Sequence, residues 1–266
     1  MIRKLPGRLY MGLIFTFLYA PVVVLIVFSF NQARSRAVWG GFTLDWYRKL
    51  FQNRDIMSAL QVTLAVAFIS AIVSTIIATL TCIGLDVMKR KWRQAIMTVT
   101  YIPNVSPDLV TGIALMLLFF FIRMQTGFAT LLLAHIAFNI PYAILSISPK
   151  LRQLDRHLFE AALDLGCRPH QAILRVIIPE IMPGIVTALI LTFTLSIDDF
   201  VISYFTAGNQ ISTLAITIYS MARKSVNPQI NALSTLLFVV VLGLLLLVNS
   251  RSGRDTKRKA DGGKTT

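Results

Sequence analysis

Six long apolar runs, joined by short segments that carry most of the basic residues, leave this chain few folds to adopt. The runs cover residues 9–30, 58–85, 95–122, 128–148, 183–207 and 232–249. Each holds about 20 residues or more, and a helix rising ~1.5 Å per residue then crosses a hydrocarbon core ~30 Å thick. Lipid offers no partners to backbone N–H and C=O groups, so each run must satisfy its own as a helix. The first run follows Arg3, Lys4 and Arg8, as a secretory signal would. It is too long for a signal core and has no small-residue cleavage site, which makes it a retained span. A hydrophobic fraction of 55% and a mean hydropathy of +0.69 exceed those of a soluble domain. The chain reads as an all-α polytopic membrane protein with six transmembrane helices. Residues 1–250 form one transmembrane domain, and the basic residues 251–266 form a disordered tail.

A net charge of +14 raises the question of nucleic acid. The basic residues lie between the apolar runs, which is the pattern of membrane topology and excludes a nucleic-acid partner. Lysines and arginines concentrate at the start, in Lys89 to Arg93, in residues 149–182 and in the tail. That bias places both termini and the 149–182 loop in the cytoplasm. Cys82 and Cys167 are too few for a disulfide framework or a metal cluster.

Residues 149–182 interrupt the apolar pattern. Leu154, Leu158, Ala161, Ala162 and Leu165 recur at helical spacing, and Gly166 suits the left-handed turn that closes a helix. Pro169 then starts a second helix with Ala172, Ile173, Val176 and Ile177 as its stripe, and Pro179 and Pro183 punctuate the exit. The expected unit is helix, glycine elbow, helix, lying on the membrane surface. Glu160-Ala161-Ala162, Gly166 after three residues, and Val176-Ile177-Ile178-Pro179 after nine more resemble the EAA signature of ATP-binding-cassette importer permeases. The family ends that pattern Ile-x-Leu-Pro, and this chain departs from it at Val176 and Ile178. The resemblance implies a type I importer permease fold with a cytoplasmic coupling-helix loop. It further implies that Glu160, Ala161, Ala162, Gly166 and Pro179 couple to a cytoplasmic ATPase.

Catalytic motifs are absent from the sequence. Gly262-Gly263-Lys264-Thr265 imitates part of a phosphate-binding loop but lacks the earlier glycine, since position 258 is Arg258. The chain is therefore expected to be non-catalytic and to hold no cofactor, with ATP and Mg bound by a partner. His135 in a span is explained by core packing, and His157 and His170 in the loop by solvation.

Three carboxylates lie inside the runs: Asp108 after Pro103 and Pro107, where the third helix should kink or break, and Asp198 and Asp199 in the fifth. Both acidic sites fall about 20 to 22 Å from the cytoplasmic edge if the helices run straight. An ionised acid at that depth costs on the order of 3 kcal/mol, so these groups should face a wet pathway or a partner. Neighbouring residues on a helix point ~100° apart, so one of Asp198 and Asp199 lines the pathway and the other bonds a neighbouring helix. Tyr101, Tyr204 and Tyr219 add cation–π capacity if they reach the same cavity. A cationic solute suits such a path. In the first outer loop, Thr43 caps a short helix whose Trp46, Tyr47, Leu50 and Phe51 form an aromatic face lying at the interface.

Asp45-Trp46-Tyr47, Ser106-Pro107-Asp108, Thr192 to Phe200, Ile218 to Met221 and Val226 to Ala232 resemble the second permease of spermidine/putrescine importers. That resemblance implies a subunit of the bacterial inner membrane that forms half of a polyamine pathway. The implied partners are a second homologous permease, two copies of an ATPase and an extracytoplasmic polyamine-binding protein. The spans and the loop equally suit a permease for ferric iron or a sugar phosphate. A membrane enzyme with Asp198 and Asp199 as its dyad is disfavoured, because a shared reaction centre needs carboxyls that converge.

Overall fold

The computed structural model describes residues 5–33, 38–155, 157–224, 228–240 and 242–243. Its backbone is helical, and the extended pairing among the described residues is a lone antiparallel bridge between Asn31 and Phe42. The chain divides into two compact units, residues 1–57 with 218–266, and residues 58–217.

In the first unit, α1 (Leu5–Ser29) is an apolar rod with exposed Phe15, Phe17, Leu18 and Tyr19. The loop that follows is tied together by polar groups. Asn31 donates to Val38 O at 2.8 Å and accepts from the Gly40 N–H at 2.8 Å. The Trp46 indole donates to Asn31 O at 2.7 Å, and Ser29 Oγ meets Tyr47 Oη at 2.7 Å. Phe30 stacks on Phe42 with ring centres 5.3 Å apart. These contacts revise the interfacial reading of α2 (Asp45–Gln52), because Trp46 and Leu50 are buried and Phe51 is exposed. Leu44, not Thr43, precedes the first turn; Thr43 Oγ1 instead accepts the Asp45 N–H at 3.1 Å in a local turn.

The second unit holds most of α3 (Arg54–Val87), then α4 (Arg90–Val105), α5 (Asp108–Phe121) and α6 (Phe128–Arg152). α7 (His157–Asp164), α8 (Pro169–Ala172), a π-helical turn over Ile173–Ile177, α9 (Ile178–Asp198) and α10 (Val201–Thr206) follow. α11 (Leu214–Lys224) and α12 (Pro228–Val240) complete the described helices. Among the described residues, four helices are long and apolar enough to cross a membrane, and five spans result if the α4–α5 pair is one broken span. Of the expected sixth span, residues 232–249, residues 232–240 lie in α12, while 241 and 244–249 fall outside the described residues.

Two spans break partway along. Pro107 cannot donate, and it drives Ser106 out of the helical region (ψ 140°), so α4 and α5 meet at a bend of 108°. The fifth span breaks at Asp199 (ψ 122°). By contrast, Pro179 and Pro183 do not end their helix. Ile178 N–H bonds Ile173 O, five residues back, so the register shifts just before Pro179 and the helix runs on from Pro169 to Asp198. The fifth span thus starts 14 residues earlier than the expected residue 183, at Pro169.

α6 and α9 form the most extensive helix pair of this unit. Ala78, Cys82, Ala143, Ile147, Ile181 and Ala188 pack between α3, α6 and α9, small residues letting the backbones approach. Deeper along the pair, Asn139 Nδ2 donates to Ser196 Oγ at 2.8 Å and Ser70 Oγ at 3.3 Å, joining three helices. A β-carbon at Gly184 would stand 2.9 Å from Lys150 Cγ and 3.6 Å from Ile147 Cα. Gly184→Val should therefore destabilise the α6–α9 contact by about 1–3 kcal/mol through overpacking, read as a lower thermal unfolding midpoint in detergent. Gly84→Ala, whose added carbon meets nothing within 4 Å, should not lower it.

Candidate functional site

The polar loop forms the elbow that its sequence implies. α7 begins at His157, with Asp155 Oδ1 accepting the His157 N–H at 3.0 Å, and so starts later than Leu154. At its end Gly166 takes φ +85°. Cys167 N–H reaches Ala162 O at 3.0 Å and Gly166 N–H reaches Leu163 O at 2.9 Å, the paired bonds of a Schellman ending. Pro169 opens α8 as expected, with Gln171 Oε1 accepting the Arg168 N–H at 3.2 Å.

Ala162, Ala172 and Ile177 anchor the elbow inward. Glu160, Ala161, Gly166 and Pro179 are exposed, and Glu160 Oε2 lies 3.4 Å from His157 Nδ1 at the surface. Leu165 was expected on the apolar face of α7 but is 87% exposed, because the chain has already turned away at the glycine. Leu174 is exposed as well, so bare leucines flank the elbow. Glu160 and Phe159 also border a cavity of about 610 Å³ whose other walls include Asp86, Arg93, Arg152 and Asp155.

The second cluster forms at the two helix breaks. Asp108 is the first residue of α5 and is exposed. The 108° bend removes the straight-helix geometry from which a common depth with the fifth-span acids was inferred. One turn on, Gly112 lets α5 press on α10, since a β-carbon there would be 3.0 Å from Phe205 Cδ2 and 3.5 Å from Val201 O.

Asp198 ends α9 and is exposed, whereas Asp199 turns inward. The Asp199 carboxylate accepts the Ile202 N–H at 3.3 Å and the Ser203 N–H at 2.7 Å, satisfying the first turn of α10. His135 of α6, 1% exposed, places Nε2 3.0 Å from Ser203 Oγ and 3.6 Å from Asp199 Oδ2. Thr130 Oγ1 donates to Thr206 O at 2.8 Å and ties the far end of α10 to the same helix.

Of the aromatic candidates, Tyr101 is exposed on α4, and Tyr204 is exposed on α10 between Phe200 and Phe205, with ring centres 5.5 Å from each. Tyr219 is exposed on α11 and belongs to the other unit. The sequence reading assigned His135 to core packing, whereas the structure sets it against the break between α9 and α10. A signal for this existed: an ionisable group in a span is a functional candidate by default, and His135 and Asn139 fall one turn apart on one face.

The family model described as binding-protein-dependent transport system inner membrane component matches residues 78–251. The spermidine/putrescine transport system permease protein PotC of Shigella flexneri is 36% identical over 263 residues, 99% of each chain. The putrescine transport system permease protein PotI of Escherichia coli K12 is 38% identical over 234 residues, 85% of this chain and 83% of that one. Among solved structures, the bacterial alginate ABC transporter in complex with its pentasaccharide-bound periplasmic protein aligns with TM-score 0.70 at 19% identity, covering 96% of this chain and 95% of that one. The inward-facing MetNI methionine ABC transporter aligns with TM-score 0.61 at 18% identity, covering 77% and 95%. At such identities these two structures bear on the fold alone.

A β-carbon at Gly166 would meet nothing within 4 Å, so the cost of replacing it is confined to the backbone. Gly166→Val should weaken the elbow by about 1–2 kcal/mol, read as about tenfold faster hydrogen exchange of the Cys167 amide. Gly166→Asn, which tolerates the left-handed region, should lose less.

Proposed function

Since the chain belongs to the family of binding-protein-dependent transport system inner membrane components, we propose that it is a permease subunit of an ATP-driven polyamine importer. The observation that carries this reading is similarity along nearly its full length to permeases of spermidine and putrescine transport. The site supports it. A linear polyammonium chain is matched by spaced carboxylates beside aromatic rings, and Asp108 and Asp198 are exposed acids at two helix breaks. Asp199 is engaged as the internal cap of α10, so Asp108 and Asp198 are the pathway acids, with Tyr101 and Tyr204 as candidate walls.

Coupling runs through the elbow. Exposed Glu160, Ala161, Gly166 and Pro179 with Leu165 and Leu174 form the surface offered to a cytoplasmic ATPase. Ala162 seats that surface against the rest of the permease. The helix leaving it is continuous from Pro169 to Asp198, so displacement at the elbow is delivered to the acid at the other end. The subunit itself is non-catalytic. ATP and Mg are held by two ATPase copies, a second homologous permease supplies the other half of the pathway, and an extracytoplasmic binding protein delivers the polyamine. Both termini face the cytoplasm, residues 1–250 serve as one transmembrane domain and the basic residues after 250 as a tail.

Asp108→Asn and Asp198→Asn are each expected to lower putrescine uptake at limiting concentration about tenfold, equivalent to about 1.4 kcal/mol. The ATPase should still co-purify with both variants. Uptake of labelled putrescine by membrane vesicles measures this, and unaltered kinetics would remove that acid from the pathway. Gly166→Val is expected to leave ATP hydrolysis running while transport falls; transport that stays proportional to hydrolysis would show that the elbow is not the coupling element.

A further inference from the structure

Adjacent acids with opposite fates need something to hold them apart, and the structure has such a device on α6. His135 is buried, its Nε2 stands between the Ser203 hydroxyl at 3.0 Å and the Asp199 carboxylate at 3.6 Å, and both groups belong to the break between α9 and α10. Asp199 already bonds the Ile202 and Ser203 amides. The imidazole therefore adds a lateral tether from a different helix to a cap that otherwise depends on its own segment. His135 Nδ1 has no hydrogen-bond partner among the described residues, so the ring's polar contact with the protein is made at Nε2. One turn along the same face, Asn139 fixes α9 through Ser196. The two side chains thus grip the fifth span on either side of its break, His135 at α10 and Asn139 at α9.

We propose that His135 is a positioning residue for transport. By bonding Ser203 beside the Asp199 carboxylate it fixes the break that keeps Asp199 inside the protein and leaves Asp198 exposed to the solute. This role rests on the reading of the chain as a permease with Asp198 in its pathway. The Nε2 contact is what matters, and the bulk of the ring is secondary. A glutamine amide places a nitrogen near the imidazole Nε2, whereas leucine fills similar space without a polar atom.

The test compares His135→Gln with His135→Leu in the assembled membrane complex, using two readouts. The first is hydrogen exchange in the peptide covering residues 199–206, which does not depend on the solute. Loss of a buried polar contact should speed it about tenfold in His135→Leu, with near wild-type exchange in His135→Gln. Ser203→Ala, which removes the other end of the contact without altering α6, should move exchange in the same direction as His135→Leu. The second readout is putrescine uptake, where His135→Leu should raise KM with little change in Vmax and His135→Gln should restore it. Equal exchange in the leucine and glutamine variants, or wild-type exchange in Ser203→Ala, would reduce His135 to packing and overturn the proposal. An effect of His135→Leu on Vmax alone would overturn it as well. If the exchange pattern holds but the wild-type complex takes up no polyamine, the solute assignment fails and the positioning role of His135 stands.

Discussion

A helix in hydrocarbon cannot simply stop, because the amides of its next turn would have no water to bond. The Asp199 carboxylate answers that constraint at the point where α9 gives way to α10, and much of the second unit follows from it. Once Asp199 is used as an internal acceptor, Asp198 is left at the exposed edge of the break. α10, freed to take a new direction, packs on α5 at Gly112 and on α6 through Ser203 and Thr206. The break at Ser106 and Pro107 is the other half of the same design. There proline enforces the interruption, and Pro107 O accepts the Val110 and Thr111 amides to restart α5.

The elbow and the break are the two ends of one element. From Pro169 to Asp198 the chain holds 30 residues of unbroken helix. Its grip on α6 is close, with Gly184 against Ile147 and Lys150 midway along and Ser196 against Asn139 near its far end. The half from Gly184 to Ser196 is thereby held to α6, and the π turn lies in the half before it. The elbow proposed to dock thus leads into the same continuous helix that ends at Asp198.

Much of this was legible in the sequence because it rested on strong local rules. The left-handed residue at Gly166, the helix start at Pro169 and the break before Asp108 each follow from one residue's backbone chemistry. The first four apolar runs map onto helices, the third as a broken pair. What could not be read depended on tertiary partners. Pro179 and Pro183 read as an exit, yet a shifted register lets the helix absorb them. Trp46 and Leu50 look interfacial by periodicity, but a loop that supplies Asn31 O to the indole takes them inward. Which of Asp198 and Asp199 turns inward depends on groups such as His135 and Ser203, which lie 68 residues apart in the chain and meet only in the fold.

The π turn at Ile173–Ile177 has a consequence beyond accommodating proline. One surplus residue in a single turn offsets the angular phase of everything downstream by ~100°. The stripe that faces α6, Ile181, Gly184 and Ala188, is therefore aligned by a count that includes the surplus. In evolution the spacing between Gly166 and Pro179 is then constrained as an angle as much as a length. An indel within it would leave every side chain intact and present the wrong side of the helix to its neighbour.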